Sequence, residues 1–221
     1  LPGLTLARLL KEKYPHLHIT LGGPIFSVNS KQLMGHPEFF QEFCDSIVTF
    51  EGEEPLHRLL TALRNGSTLK DVPNLLFYED GKIESNEERV ELRFEQMPPP
   101  TFDGLPMDLY LSPYPILPVL QSRGCYWGKC TFCTHSFIYG HRYGKQRTEQ
   151  MVDELESLAK KYKTKYFTFS DEAVSPHSLN DVSEEIIKRD VDIKSLALLK
   201  FEKVMDQELF KKMKQAGFIF L

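Results

Sequence analysis

Apolar positions in the first third of the chain switch repeatedly between a helical and an extended period. Leu6, Leu9 and Leu10 recur at the spacing of one helix face, and residues 16–21 then read as a short buried strand ending at Gly22-Gly23-Pro24. A helical stretch is predicted over 31–43. Ser46-Ile47-Val48-Thr49-Phe50 reads as a buried strand running straight into Glu51-Gly52-Glu53-Glu54. Leu56, Leu59, Leu60 and Leu63 place one apolar face on the next helix, closed by Asn65-Gly66. Strands alternating with helices predict a parallel, doubly wound sheet, of which this piece holds the last two strands. Residues 74–78 and 82–85, joined by Glu79-Asp80-Gly81, read as a hairpin turning on Asp-Gly.

The pattern then breaks. Pro98-Pro99-Pro100, Pro106, Pro113, Pro115 and Pro118 predict an extended linker over 96–118 that no helix could cross. The domain boundary is placed there, with 1–95 on one side and 119–221 on the other. Alternation resumes with a strand near 117–121 and a helix from Thr148, read as its N-cap, with Val152, Leu155, Leu158 and Tyr162 on one face. A strand over 166–170 follows, then a helix carrying Leu179, Val182, Ile186 and Ile187. A strand over 195–199 and a helix over 207–216, capped by Asp206, come next, and residues 218–221 read as a fourth strand. Regular units of this kind build a βα barrel, here expected to be its first half.

Composition narrows the class without naming a chemistry. Of the 221 residues, 41% are hydrophobic and 26% charged, enough apolar material for a core and too much for a disordered chain. A net charge of -4 argues against nucleic acid or an anionic membrane as the main partner. No apolar run reaches membrane-spanning length and no signal peptide is visible, so no membrane partner is expected. The chain opens on Leu1-Pro2-Gly3 without an initiator methionine and closes on an apolar run, so it is expected to be an internal piece of a longer protein.

The chemistry lies in Ser122-Arg123-Gly124-Cys125-Tyr126-Trp127-Gly128-Lys129-Cys130-Thr131-Phe132-Cys133. Three of the four cysteines fall within this loop, a spacing that suits a metal centre in a reducing cytoplasm better than disulfides. Three thiolates can hold three irons of a cubane cluster and leave the fourth iron open to a ligand. Gly124 and Gly128 let the backbone wrap closely around the sulfurs. Between Leu109 and Thr148 there is no acidic residue, while Arg123, Lys129, Arg142, Lys145 and Arg147 are all present, a basic ring suited to an anionic cluster. A solvated basic loop is the plainer reading of those residues. Structural zinc, with His135 or His141 as a fourth ligand, is the competing metal, although only Cys130 and Cys133 make the usual C-x2-C unit. An electron-transfer protein would normally supply four cysteines, and Cys44 reads instead as a small buried hydrophobe.

This loop resembles the cluster signature of radical S-adenosylmethionine (SAM) enzymes, whose three cysteines bind a [4Fe–4S] cluster and whose fourth iron is chelated by SAM. Phe132 matches the aromatic residue that precedes the third cysteine and packs near the adenine. One departure is that four residues, not the commoner three, separate Cys125 from Cys130. Phe169-Ser170-Asp171-Glu172 resembles the acidic turn where relatives contact the amino group of SAM, which assigns Asp171 and Glu172 to that ligand; both could equally cap the next helix. The segment 210–221 resembles the helix and strand preceding further SAM contacts. Leu21-Gly22-Gly23-Pro24 and Phe50-Glu51-Gly52-Glu53-Glu54 are similar to two recurrent loops of the cobalamin-binding domain of one large subclass. Gly22 and Gly23 would then line the slot for the cobalamin nucleotide tail, although a Gly-Gly turn follows many flavodoxin-like strands.

The resemblance implies an α/β fold: part of a flavodoxin-like (Rossmann-like) parallel sheet, then part of a TIM-like radical SAM barrel. It implies reductive cleavage of SAM to a 5′-deoxyadenosyl radical, with cobalamin-dependent methyl transfer or a related radical modification of an unactivated carbon as the outcome. An electron donor and a small-molecule or peptide substrate are the partners implied, and an open half-barrel edge invites pairing with a second copy. The piece alone is expected to have little turnover. The rival class is a non-catalytic cobalamin- or zinc-binding module.

Overall fold

A computed structural model describes residues 2–86, 94, 97–139 and 143–219. The chain divides into two compact units, Leu1–Leu92 with Phe137–Gly140, and Arg93–Ser136 with His141–Leu221.

The first unit opens with α1 (Pro2–Lys13), which has a proline at its start and Lys11 and Lys13 in its last turn. Next come β1 (Thr20–Gly22), α2 (Pro24–Val28), α3 (Ser30–Leu33), α4 (Pro37–Phe43) and β2 (Ser46–Val48). The helix predicted over 31–43 is thus two helices interrupted at Met34-Gly35-His36, because Pro37 holds the residue before it out of the helical region (His36 φ -128°, ψ 69°). The short α2 also lies in what the sequence suggested was a loop. In α5 (Glu53–Asn65), Glu53 and Glu54 occupy the first turn and Gly66 closes the end in the left-handed region at φ 63°. The hairpin β3 (Leu75–Glu79) and β4 (Lys82–Ser85) turns at Asp80-Gly81, both at positive φ. β1 and β2 are parallel, but β3 pairs antiparallel with β2, so the hairpin extends the same sheet in the order β1-β2-β3-β4. Val48, Leu59, Ala62, Val72, Leu75 and Phe77 form a core on one side of this sheet, and Phe40, Cys44, Ile47 and Leu76 form a second.

The second unit contains β5 (Ile116–Val119), β6 (Ser122–Arg123), α6 (His135–Ile138, whose last two residues group with the first unit), β7 (Gly144–Lys145), α7 (Thr148–Tyr162) and β8 (Tyr166–Phe169). It continues through α8 (Pro176–Lys188), β9 (Lys194–Ala197) and α9 (Gln207–Gln215). β5, β8 and β9 form a parallel sheet in that order, connected by helices as a βα barrel requires. Arg147, not Thr148, is the N-cap of α7, since the Met151 amide already bonds to the Arg147 carbonyl at 3.0 Å. Ser175 caps α8 by accepting from the Ser178 amide, and Asp206 caps α9 by accepting from the Leu209 amide. Of the fourth strand predicted at 218–221, the described residues show a single parallel bridge, Ser195 to Phe218, and 220–221 lie outside them. Gly217 leads into that bridge at φ +92°, where a Cβ would stand 2.0 Å from the Ile193 carbonyl, so only glycine fits. The apolar face predicted for α7 is buried: Val152, Leu155 and Leu158 pack with Phe167, Phe169, Val182 and Ile186 in one core.

The proline-rich segment groups with this unit and packs on it. Phe102 is buried edge-on against Tyr162, its amide donating to the Tyr162 hydroxyl at 2.7 Å, and Tyr114 stacks on Tyr166 at 4.8 Å. No helix among the described residues is long and apolar enough to cross a membrane.

Candidate iron–sulfur site

The cysteine loop leaves the C-terminal end of β5 and is tied at its base. Ser122 and Arg123 of β6 pair antiparallel with Lys145 and Gly144 of β7, so the cysteine loop rises from a strand that is itself paired. Gly124 (φ 85°) and Gly128 (φ 59°) take conformations that favour glycine. At Gly128 a Cβ would also stand 3.0 Å from Ser136 Oγ, which donates to the Gly128 carbonyl at 3.1 Å. The Cys133 amide closes a turn on the Cys130 carbonyl at 3.2 Å. Cys125 and Cys133 are half-buried, Cys130 is exposed, and all three are free thiols. Among the described residues no three His, Cys, Asp or Glu side chains are gathered as a metal site, so the loop carries its donors without a pre-formed array.

A buried polar network lies beneath the loop. Asp171, just past β8, is fully buried and accepts from the Ser122 amide (2.6 Å), the Ser122 hydroxyl (2.5 Å) and the Gln121 amide (3.0 Å). Burial pushes its carboxyl above the ordinary aspartate value, and these donors oppose the shift. Both Asp171 oxygens are thereby engaged with the base of the loop. Glu172 Oε1 lies 3.3 Å from His135 Nδ1, so the histidine considered as a zinc ligand faces a carboxylate instead. Beside this network, Gln121 Nε2 donates to the Gln146 carbonyl, and Gln146 Nε2 donates to the Leu120 carbonyl and to Glu154.

The loop after β9 reaches the same place. Tyr126 donates to Glu202 Oε1 at 2.6 Å, and Lys200 Nζ stands 3.6 Å above the centre of the Trp127 ring. Burial and the Glu202 carboxylate hold the Tyr126 phenol above its ordinary range, so it remains a donor at neutral pH. None of these contacts was legible in sequence, where 76 residues separate Tyr126 from Glu202. Phe132 is 89% exposed beside Cys133. Of the expected basic ring, Arg123 lies over Phe94 at 5.8 Å and Lys129 over Trp127 at 5.1 Å, while Lys145 and Arg147 are exposed. Arg142 and His141 lie outside the described residues.

In the first unit, Gly22 and Gly23 line a groove of about 490 Å³ with Val48, Phe50, Gly52 and Glu53. The two glycine loops singled out in sequence therefore meet at the C-terminal ends of the parallel strands β1 and β2. Gly23 sits at φ 104°. Phe50 takes φ 59°, and its amide donates to Ser27 Oγ at 2.7 Å. Cys44 is buried in the core of the first unit, and burial lifts its thiol to about 12.

No family model matches the chain. It is 29% identical over 220 residues to an uncharacterized methyltransferase, PH0819, of Pyrococcus horikoshii, covering 96% of this chain and 46% of that protein. It is 27% identical over 168 residues to the hopanoid C-3 methylase of Methylococcus capsulatus, covering 70% of this chain and 29% of that one. The chain thus spans less than half the length of either relative. Among solved structures, the radical S-adenosylmethionine methyltransferase TsrM of Kitasatospora setae, with cobalamin and a [4Fe–4S] cluster bound, matches with a TM-score of 0.66 at 20% identity. That match covers 97% of this chain and 43% of TsrM. The chain therefore has the α/β fold of that kind of enzyme, and it resembles the cobalamin-dependent radical SAM enzymes.

Proposed function

We propose that this chain is the cluster-bearing part of a radical SAM enzyme, with Cys125, Cys130 and Cys133 as ligands of a [4Fe–4S] cluster. We further propose that the whole enzyme uses cobalamin for methyl transfer to an unactivated carbon, or for a related radical modification. The observation that carries the reading is the loop itself: three free thiols outside the core, at the end of a parallel strand, with contacts from the two following strand ends. The donor set fits the group. Thiolates are the ligands that iron–sulfur clusters take, and the chain brings no acidic side chain between Leu109 and Thr148 to compete with them. The fourth cysteine, Cys44, is fully buried in the core of the first unit, which supports three protein ligands and one open iron. The chemistry such a cluster supplies is one-electron reductive cleavage of SAM to methionine and a 5′-deoxyadenosyl radical.

The chain's own residues bind and orient. The exposed ring of Phe132 offers a flat apolar face suited to an adenine. Glu172, with His135 beside it, is the carboxylate suited to the amino group of SAM, while Asp171 fixes the strand end from which the loop departs. In the first unit, the groove at Gly22 and Gly23 admits close backbone approach and is the part suited to the cobalamin tail. Anaerobic reconstitution with iron and sulfide, followed by EPR of the reduced protein with and without SAM, tests this. A cubane signal that changes on adding SAM and is lost in Cys130→Ala is expected. Stoichiometric zinc with no cluster under any condition would withdraw the reading.

A further inference from the structure

The four residues between Cys125 and Cys130 each have a partner or a conformation that fixes them. Tyr126 donates to Glu202 at 2.6 Å, a short, charge-assisted bond from a hydroxyl to a carboxylate. Trp127 lies under Lys200, whose ammonium is 3.6 Å from the ring centre and also 3.6 Å from Glu202 Oε1, so one lysine joins both contacts. Lys129 covers the same indole at 5.1 Å. Gly128 supplies the turn at φ 59°, and its carbonyl is held by Ser136. The loop after β9 therefore grips the cysteine loop at its first two gap residues.

We propose that Tyr126 and Trp127, through Glu202 and Lys200, are positioning residues that restrict the backbone of the wide Cys125–Cys130 gap and so slow the loss of a bound cluster. The inference rests on the cluster reading above. A gap one residue longer than the commoner spacing adds backbone freedom, which must be lost when two sulfurs are fixed on one cluster. Anchoring both aromatic residues from the loop after β9 removes part of that freedom beforehand.

The test compares reconstituted 221-residue parent, Tyr126→Phe, Glu202→Gln, Trp127→Leu and Lys200→Met, with Lys200→Arg as the conservative control. The main readout is the rate at which an iron chelator strips the cluster anaerobically, followed by visible absorbance. Circular dichroism and the urea midpoint of each cluster-free chain report on folding. Tyr126→Phe is expected to lose its cluster roughly 10-fold faster than the parent, the order of one hydrogen bond to a charged group. Trp127→Leu and Lys200→Met are expected to lose it about 3-fold faster, with Lys200→Arg near the parent. Tyr126→Phe made in the Glu202→Gln background should add far less than it does alone, because the two share one contact. Stripping rates within twofold of the parent in all variants, or losses that track the urea midpoint alone, would overturn the proposal. Failure of the parent itself to take up a cluster would instead sink the reading on which it rests.

Discussion

Replacing Asp171 by asparagine removes one charge and misplaces one donor at the base of the cysteine loop. The carboxylate accepts three hydrogen bonds, two at Oδ1 from Ser122 and one at Oδ2 from the Gln121 amide, all fully buried. Asparagine keeps one acceptor oxygen and turns an NH2 toward a position now occupied by a backbone N–H. A buried donor left unsatisfied costs about 1–3 kcal/mol, and a hydrogen bond to a charged acceptor is worth about 1.5–3 kcal/mol. Part of that loss is offset, because burial opposes the charged form of Asp171 and asparagine carries no charge. The net expectation is a loss of about 2–3 kcal/mol in the second unit, which for a chain of this size lowers Tm by roughly 5–10 °C. Trp127, the single tryptophan, belongs to this unit, so its fluorescence during urea unfolding reports on the affected part. Ser122→Ala should show strong coupling to Asp171→Asn in a double-mutant cycle, since two of the three bonds come from Ser122. An Asp171→Asn midpoint within about 0.5 kcal/mol of the parent would refute the reasoning, since it would mean the three donors find other partners.

Two further predictions follow from buried groups. Glu154 is buried, and desolvation raises its carboxyl above the ordinary glutamate value, only partly opposed by the Gln146 donor. A carboxyl raised in the folded state destabilises the fold as pH climbs from the ordinary glutamate range through the folded value, and the deficit persists above it. Glu154→Gln should therefore be about 1 kcal/mol more stable than the parent at pH 7–8, since its amide oxygen can still accept from Gln146 and no charge is left to desolvate. That advantage should shrink as pH falls toward 4, and a pH-independent difference in urea midpoints would count against it. Cys44, with its thiol lifted to about 12, should resist iodoacetamide at pH 8 while Cys125, Cys130 and Cys133 are alkylated within minutes, as read by peptide mass spectrometry. Alkylation of Cys44 at the rate of the loop cysteines, without unfolding, would show that its burial is not maintained in solution.

The elements carried by long periodic segments were legible in the sequence. The faces of α7 and α8 follow from their apolar spacing, and the caps at Asp206 and Gly66 from residue type; α5 forms where predicted, but it buries Pro55, Leu59 and Ala62 and leaves Leu56, Leu60 and Leu63 of the expected face exposed. Short elements were not. The break at Gly35-His36 depends on one proline, and α2 is only five residues long, too short for a period to register. The antiparallel docking of β3 on β2 is a tertiary choice that neither strand's own pattern encodes. The three cysteines and the two glycine loops could be found because their spacing is local. For Asp171 the place in the chain was visible but the partners were not. Its engagement with Gln121 and Ser122 emerges only when β8 lies beside β5.

Parallel strands explain why such distant residues meet. Each strand of the second sheet ends on the same side, so whatever follows it stands next to whatever follows its neighbours, however long the intervening helix. The cysteine loop follows β5, and Asp171, Glu172, Lys200 and Glu202 follow β8 and β9; partners far apart in sequence, such as Ser122 with Asp171 and Tyr126 with Glu202, thus become neighbours. The end of β8 tethers the base of the loop and His135 just beyond Cys133, and the loop after β9 tethers the gap between Cys125 and Cys130. Tethers on separate elements should fail separately. Loss of the Tyr126 contact leaves the Asp171 network and the core beneath it untouched, so its effect belongs in cluster retention. Loss of Asp171 undermines the strand end that the whole loop stands on, so its effect belongs first in stability.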